Sequence, residues 1–186
     1  MILIMGGPAS GKGTTCAFLS QKYDQVFHIS VGDLLREKKD LDPKLAEMMK
    51  NGALLPVSVV GNVILSHIKE KCDTNKIILL DGFPRSQDNY DYFCGEMSEF
   101  INLVGILVID CDDETMVERA VNRGGQSGRT DDNAQTCRRR IKIYHDETEK
   151  IIGLFDKKLI TRVSGLEKDT NATREKIVTT FEFDKL

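Results

Sequence analysis

The 186-residue chain has no CxxC pair, no surplus of basic residues and no apolar run long enough for a membrane helix. Each absence removes a class of function. Lys and Arg number 26 against 29 Asp and Glu, for a net charge of −3, so no overall positive field points to nucleic acid or to a membrane surface. A bilayer span needs about 20 consecutive apolar residues, and the runs here are much shorter. The opening "MILIMGG" lacks a basic flank and reaches glycine after five residues, so it reads as a buried first strand and not as a secretory signal. Cys16, Cys72, Cys94, Cys111 and Cys137 are scattered and odd in number. That usage suits a reducing compartment, cytoplasmic or nuclear, and buried small apolar positions better than disulfides or a metal. His28, His67 and His145 lie far apart in the chain and suggest no shared chemistry.

What is present is an alternation. Near-continuous Ile, Leu and Val runs at 2–5, 26–30, 77–81, 104–110 and 159–164 read as strands covered on both faces. Amphipathic segments lie between them near 13–23, 34–39, 43–50, 57–71, 88–98, 113–122, 132–155 and 170–180. This order predicts one α/β domain, a parallel sheet flanked by helices with right-handed crossovers. Two stretches fall outside the sheet pattern: the helical region from about 31 to 60, and "NRGGQSGRTDDN" at 122–133.

"GGPASGKGTT" (6–15) follows the first strand directly and gives Gly6, four residues, then Gly11-Lys12. Backbone N–H groups in such a loop surround phosphate oxygens, and the next helix adds its positive N-terminus. Lys12 supplies a point charge for the outer phosphates. Gly13 stands where many such loops carry a Ser or Thr that binds Mg²⁺, and Thr14 comes one residue later. A metal is therefore expected to be held more through water and phosphate than through a hydroxyl at 13. The alternative is a glycine-rich turn without a ligand.

Transfer of a phosphoryl group is mostly a matter of positioning and of neutralising spread negative charge. Arginine suits that work because its planar fork stays charged and binds phosphate bidentately. Candidates are Arg36 after "GDLL", Arg85 after "GFP", Arg123 and Arg129 in the glycine-rich stretch, and Arg140 in the following helix. Each alone reads as a solvated surface residue; beside a phosphate loop, the set reads as convergent. The run "RRR" (138–140) sits on a helix with acidic neighbours and cannot all face one way, so it does not argue for nucleic acid. Asp81 ends the third strand, where a carboxylate can orient Mg²⁺-bound water; the alternative is a cap on the following turn.

"GGPASGKGT", "HISVGDLLR", "NGALLP", "LLDGFPR" and "NRGGQSGRTDDN" resemble, in order and spacing, the motifs of the short-type nucleoside monophosphate kinases of the adenylate kinase family. The resemblance runs over essentially the whole chain. It implies a P-loop three-layer fold with a five-stranded parallel CORE (1–29, 61–121 and 134–186), a helical monophosphate-binding arm (30–60) and a short LID (122–133). Both arms would close over the substrates. It implies that the loop Ala9, Ser10, Gly11, Lys12, Gly13 and Thr14 holds the ATP phosphates. Arg36 and Arg85, with Gly82, Phe83 and Pro84, would grip the acceptor monophosphate. Arg123 would face ATP, and Arg129 and Arg140 would bind the acceptor side and stabilise the group in flight. Lys12, Arg85, Arg123, Arg129 and Arg140 are thus the expected catalytic set. Ala53, Leu54 and Leu55 would touch the acceptor base, and Gly165 and Leu166 the adenine of ATP. Asp81 would act on Mg²⁺ through water. The arm is shorter than usual, and Val31 replaces a smaller residue near the acceptor base.

The residue four after the "FPR" arginine reads the acceptor base in this family. Adenylate kinases usually place Gln there, whereas UMP/CMP kinases place Asn, often within "GFPRNQDN". "GFPRSQDN" with Asn89 resembles the pyrimidine pattern. The expectation is Mg²⁺-dependent, reversible transfer from ATP to UMP or CMP, with dCMP a further acceptor, by a monomer without nucleic-acid or membrane partners. The alternatives are an adenylate kinase, a P-loop nucleotide switch and an inactive nucleotide-binding protein. Against the switch, no NKxD guanine motif is present: "NKII" (75–78) lacks the Asp. Against the inactive protein stands the intact set of cations, whose burial would otherwise only cost stability.

Overall fold

In a computed structural model that describes residues 1–38, 42–72, 76–127, 129, 131–166 and 170–185, all five apolar runs are strands. β1 (Ile2–Met5), β2 (Val26–Ser30), β3 (Ile77–Asp81), β4 (Gly105–Asp110) and β5 (Ile160–Ser164) pair in parallel in the order β2-β3-β1-β4-β5. The register sets Ile4 opposite Asp81 and Ser30 opposite the same Asp81, so the C-terminal ends of the central strands lie level. The chain leaves β1 between neighbours that were formed by different crossovers, the place where open α/β sheets hold ligands.

Alternate strand residues serve opposite faces, which explains why these strands are apolar without interruption. Leu3, Met5, Leu80, Ile106 and Val108 pack beneath Leu35, Ile64, Phe93 and Ile151. Those partners belong to α2 (Val31–Glu37), α4 (Val57–Lys71), the π-turn that follows α5 (Gln87–Tyr92), and α8 (Glu149–Ile152). Ile2, Ile4, Leu79, Leu107 and Ile109 face the other way, against Cys16 and Leu19 of α1 (Lys12–Lys22) and Ile177 and Val178 of α9 (Thr170–Thr180). A third cluster, Met116, Ala120, Cys137 and Ile141, joins α6 (Asp113–Ser127) to α7 (Ala134–Ile143). The short α3 (Pro43–Lys50) completes the element set and has no fully buried residue.

Several boundaries differ from the sequence reading, three of them near the cleft. α2 begins at Val31 rather than near 34, with no loop after β2. Ser30 caps it by accepting from Asp33 N–H (3.4 Å), while the Ser30 hydroxyl donates to the Asp33 carboxylate (2.7 Å). That N-cap, reinforced by the side-chain bond between the same two residues, fixes the helix start. The end expected at residue 39 lies outside the described residues, as do 39–41 of the arm and 128 and 130 of the LID. α6 runs on to Ser127, so the glycines of "NRGGQS" are helical. A Cβ on Gly124 would lie 2.2 Å from Asp132 O, so the bare glycine lets the returning chain close against the helix. The expected helix at 132–155 is instead α7, a π-turn (Tyr144–Thr148) and α8. Among the described residues no helix is long and apolar enough to cross a membrane.

Candidate active site

β1 delivers the chain into the glycine loop and α1 receives it at Lys12. Gly6 (φ +140°) passes so close to β4 that an added Cβ would lie 2.5 Å from Ile109 O, a conformation and a distance that exclude a side chain. Lys12 folds back over the loop, and its Nζ donates to Gly6 O (2.9 Å) and Gly7 O (2.6 Å). Burial pulls its ammonium down to about 8, with Asp81 opposing the fall and Arg85 adding to it. A cation held out of water in this way gains most from an approaching anion. Two buried donors along the same cleft, Ser10 Oγ and Arg36 Nε, have no hydrogen-bond partner among the described residues.

The cleft has a volume of about 1110 Å³ and lies over the C-terminal edge of the sheet. Lys12, Arg36, Arg85, Arg123, Arg129 and Arg140 all line it. Residues drawn from 128 positions of sequence are thus brought to one surface, as their types suggested. Arg85 is the least compensated. Its one side-chain hydrogen bond among the described residues runs from Nε to Gly82 O (2.7 Å), and no carboxylate there pairs with it. Burial first, then the charge of Arg140, lowers this guanidinium to about 10. Gly82 (φ +88°) makes room for it, because a Cβ there would lie 2.6 Å from its terminal nitrogen. Thr148 Oγ1 holds the Arg85 carbonyl (2.9 Å).

The other arginines are paired. Arg36 donates to Asp33 (2.8 Å) and Asp131 (2.7 Å). Arg140 also bonds Asp131, Arg129 reaches Asp33 (2.6 Å), and Arg123 forks onto Asp132. Asp33 from α2 and Asp131 and Asp132 before α7 therefore tie α2, α6, Arg129 and α7 together across the cleft. Sequence reading passed over these three carboxylates. The signal was present as acids beside arginines in "GDLLR" and "GRTDDN".

Burial works against the charge of Asp131, but its hydrogen bonds and ion pairs to Arg36 and Arg140 hold the carboxyl down at about 2. A carboxyl depressed from 3.8 to about 2 stabilises the fold by about 2 kcal/mol, present above pH ~4 and lost as pH falls toward 2. Asp131→Asn should therefore lower the unfolding free energy by about that amount at pH 7, and the difference should shrink on acidification through this window. Urea denaturation at several pH values checks it. An unchanged midpoint at pH 7 would show that the carboxylate is not stabilising its arginine partners.

A second, smaller cavity of about 80 Å³ opens beside Arg36, Arg85 and Arg140. Val31, Leu35, Met49, Ala53, Leu55 and Val60 give it apolar walls, and Asn89 is its uncharged polar group. Leu54 lines both cavities. Asn89 is 4 % exposed. Its Oδ1 accepts from Arg85 N–H (3.3 Å), which ties the first turn of α5 to the arginine before it. Among the described residues its Nδ2 makes only a long contact with Asp88 (3.4 Å) and keeps donor capacity. At the other end of the large cleft, Gly165 is a lining residue, whereas Leu166 is exposed and lines neither cavity. Ser164 lines the cleft beside Gly165. Arg119, Thr173 and Arg174, which sequence reading did not single out, complete that end.

Asp81 lines the cleft beside the glycine loop. A Cβ built on Gly13 would lie 3.9 Å from Asp81 Oδ2, so a hydroxyl there would point at the carboxylate, and glycine leaves that space open. One carboxylate and open space for water offer the oxygen donors that Mg²⁺ takes, with room for phosphate oxygens to supply the rest of its shell.

A family model described as adenylate kinase matches residues 4–160. Among similar curated proteins, the UMP-CMP kinase of Danio rerio is 37% identical over 165 residues, covering 84% of each chain. Adenylate kinase isoenzyme 1 of Homo sapiens is 35% identical over 187 residues, 96% of this chain and 92% of that one. The UMP-CMP kinase of Xenopus laevis is 34% identical over 190 residues, 98% of each.

Proposed function

The chain belongs to the adenylate kinase family and is a nucleoside monophosphate kinase that transfers phosphate from ATP, and we propose that its acceptor is a pyrimidine nucleotide, UMP or CMP, with dCMP a further acceptor. The observation that carries this reading is Asn89, a buried amide with donor capacity at the wall of a small apolar cavity whose open side holds three arginines. Uracil and cytosine both offer a ring carbonyl oxygen at the 2-position. An Nδ2 donor directed at it would serve both bases, while Oδ1 stays tied to Arg85 N–H. A fused purine would crowd Val31 and Val60.

In this proposal the acceptor phosphate lies against Arg36 and Arg85, and the chain from Ala9 to Thr14, with Lys12, holds the outer phosphates of ATP. Arg123 faces the ATP side, and Arg129 and Arg140 flank the group in transfer. Mg²⁺, when bound, would neutralise charge on the ATP phosphates; Asp81, the open space at Gly13 and the phosphates themselves would hold it and its waters. The arm at 30–60 and the LID at 122–133 would close on the substrates and shed water, which favours transfer over hydrolysis.

Acceptor profiling tests the reading. UMP and CMP should each exceed AMP in kcat/KM, and Asn89→Gln should shift the ratio toward AMP. Asn89→Ala should weaken both pyrimidine acceptors, by roughly tenfold or more for a lost buried hydrogen bond, with KM for ATP unchanged. A wild-type preference for AMP would establish the second reading, adenylate kinase, to which relatives of that name are similar at near-equal identity.

A further inference from the structure

His28 Nε2 is the third buried polar atom without a hydrogen-bond partner among the described residues. The mechanism above does not use it. It sits in a group of three potential metal ligands. Cys16 lies one helical turn beyond Lys12 on the sheet-facing side of α1, fully buried. His28 on β2 and Asp81 on β3 emerge from the same face of the sheet, because Ser30 stands opposite Asp81 and His28 opposite Leu79. The ligand atoms of Cys16, His28 and Asp81 all lie within 4.8 Å of one another. His28 Nε2 and Asp81 Oδ2 are 3.7 Å apart.

We propose that Cys16, His28 and Asp81 form an inhibitory site for a thiophilic divalent cation of the Zn²⁺ class, beneath the glycine loop. One sulfur, one imidazole nitrogen and one carboxylate oxygen are the donors such an ion takes in a tetrahedral shell with an open fourth position. Bond lengths of about 2.0–2.3 Å put ligand atoms about 3.3–3.8 Å apart, so a small inward shift completes the shell. Mg²⁺ has no use for the sulfur and stays on the oxygen side of Asp81. Burial raises the Cys16 thiol well above its usual range, so it carries its proton in the metal-free enzyme. Binding releases that proton to solvent and leaves a thiolate, a carboxylate and a dication, a neutral cluster suited to burial. His28 and Asp81 line the large cleft, which gives the ion its entry. Once bound, it would cancel the negative charge that Asp81 presents to Lys12 and withdraw an Asp81 oxygen from the cleft. The loss of turnover rests on the proposed role of Asp81; the binding does not.

Titration of the purified enzyme with Co²⁺ reads the site directly, since a cobalt–thiolate bond gives a near-ultraviolet charge-transfer band. One equivalent should produce the band, Zn²⁺ should abolish it, and excess Mg²⁺ should leave it. Cys94→Ser, which removes the exposed thiol, should keep it. Cys16→Ala should lose it, retain turnover without zinc and resist inhibition by added Zn²⁺. His28→Asn should weaken binding by at least about tenfold. Absence of the band in the wild type, or its persistence in Cys16→Ala, overturns the proposal. If circular dichroism shows Cys16→Ala unfolded, His28→Asn decides, and unchanged cobalt affinity there overturns it equally.

Discussion

Lys12→Ala is expected to fold as the wild type does and to lose about 100- to 1,000-fold in kcat/KM. The fold should survive because the Lys12 ammonium bonds carbonyls of its own loop, Gly6 and Gly7, and bridges no distant elements through those bonds. Those carbonyls lie at a cleft open to water. The chemistry should fail because a cation at this position acts on charge that develops between the nucleotides, where loss of one preorganised donor costs roughly 10²–10³-fold. Its ammonium, pulled down to about 8 by burial, adds a check. The free enzyme should lose kcat/KM for ATP as pH rises through about 8, while bound phosphates hold the proton and keep kcat level to higher pH. Steady-state kinetics with a thermal melt of the variant reads both halves. Wild-type turnover would remove Lys12 from the reaction, and an unfolded variant would make it structural.

Arg140→Ala is expected to reduce kcat by about 10³- to 10⁵-fold, the range for an arginine that neutralises a phosphoryl group in flight. KM for ATP should change much less. Arg129→Ala should behave alike, because both side chains border the same cleft from different elements. The two differ in what they leave behind. Without Arg140, Asp131 keeps Arg36 as partner and Arg85 loses a like charge that lowers it. The Arg140 variant should therefore remain folded despite its catalytic loss. A change confined to KM would place these arginines in ground-state binding.

The sheet was legible because its strands are buried on both faces, so composition alone marks them. "VGILVID" against Gly105–Asp110 is off by one residue. Helix starts were less legible where a cap overrides hydrophobic spacing, as Ser30 and Asp33 do for α2. The LID segment misled because two adjacent glycines signal a loop, whereas here Gly124 is helical to let Asp132 approach. Cationic site residues stood out because phosphate chemistry demands them. Their acidic partners did not, since Asp33, Asp131 and Asp132 matter only through pairings made across the fold. Cys16, His28 and Asp81 are separated by 65 positions and become neighbours only when α1 lies across β2 and β3.

The carboxylates on Arg36, Arg123, Arg129 and Arg140 make the resting cleft resemble an ion-exchange resin already loaded with its own counter-ions. A phosphate entering at any of these four arginines would displace a tethered carboxylate, and a weakly coordinating monoanion would compete poorly for that exchange. A nucleotide polyphosphate, with several oxygens presented together, exchanges at several arginines at once. The same tethering acts in reverse on the way out: each carboxylate is already in place to recapture its arginine as product lets go. A site this rich in cations would otherwise hold highly charged products tightly, and the built-in eluent would ease their release.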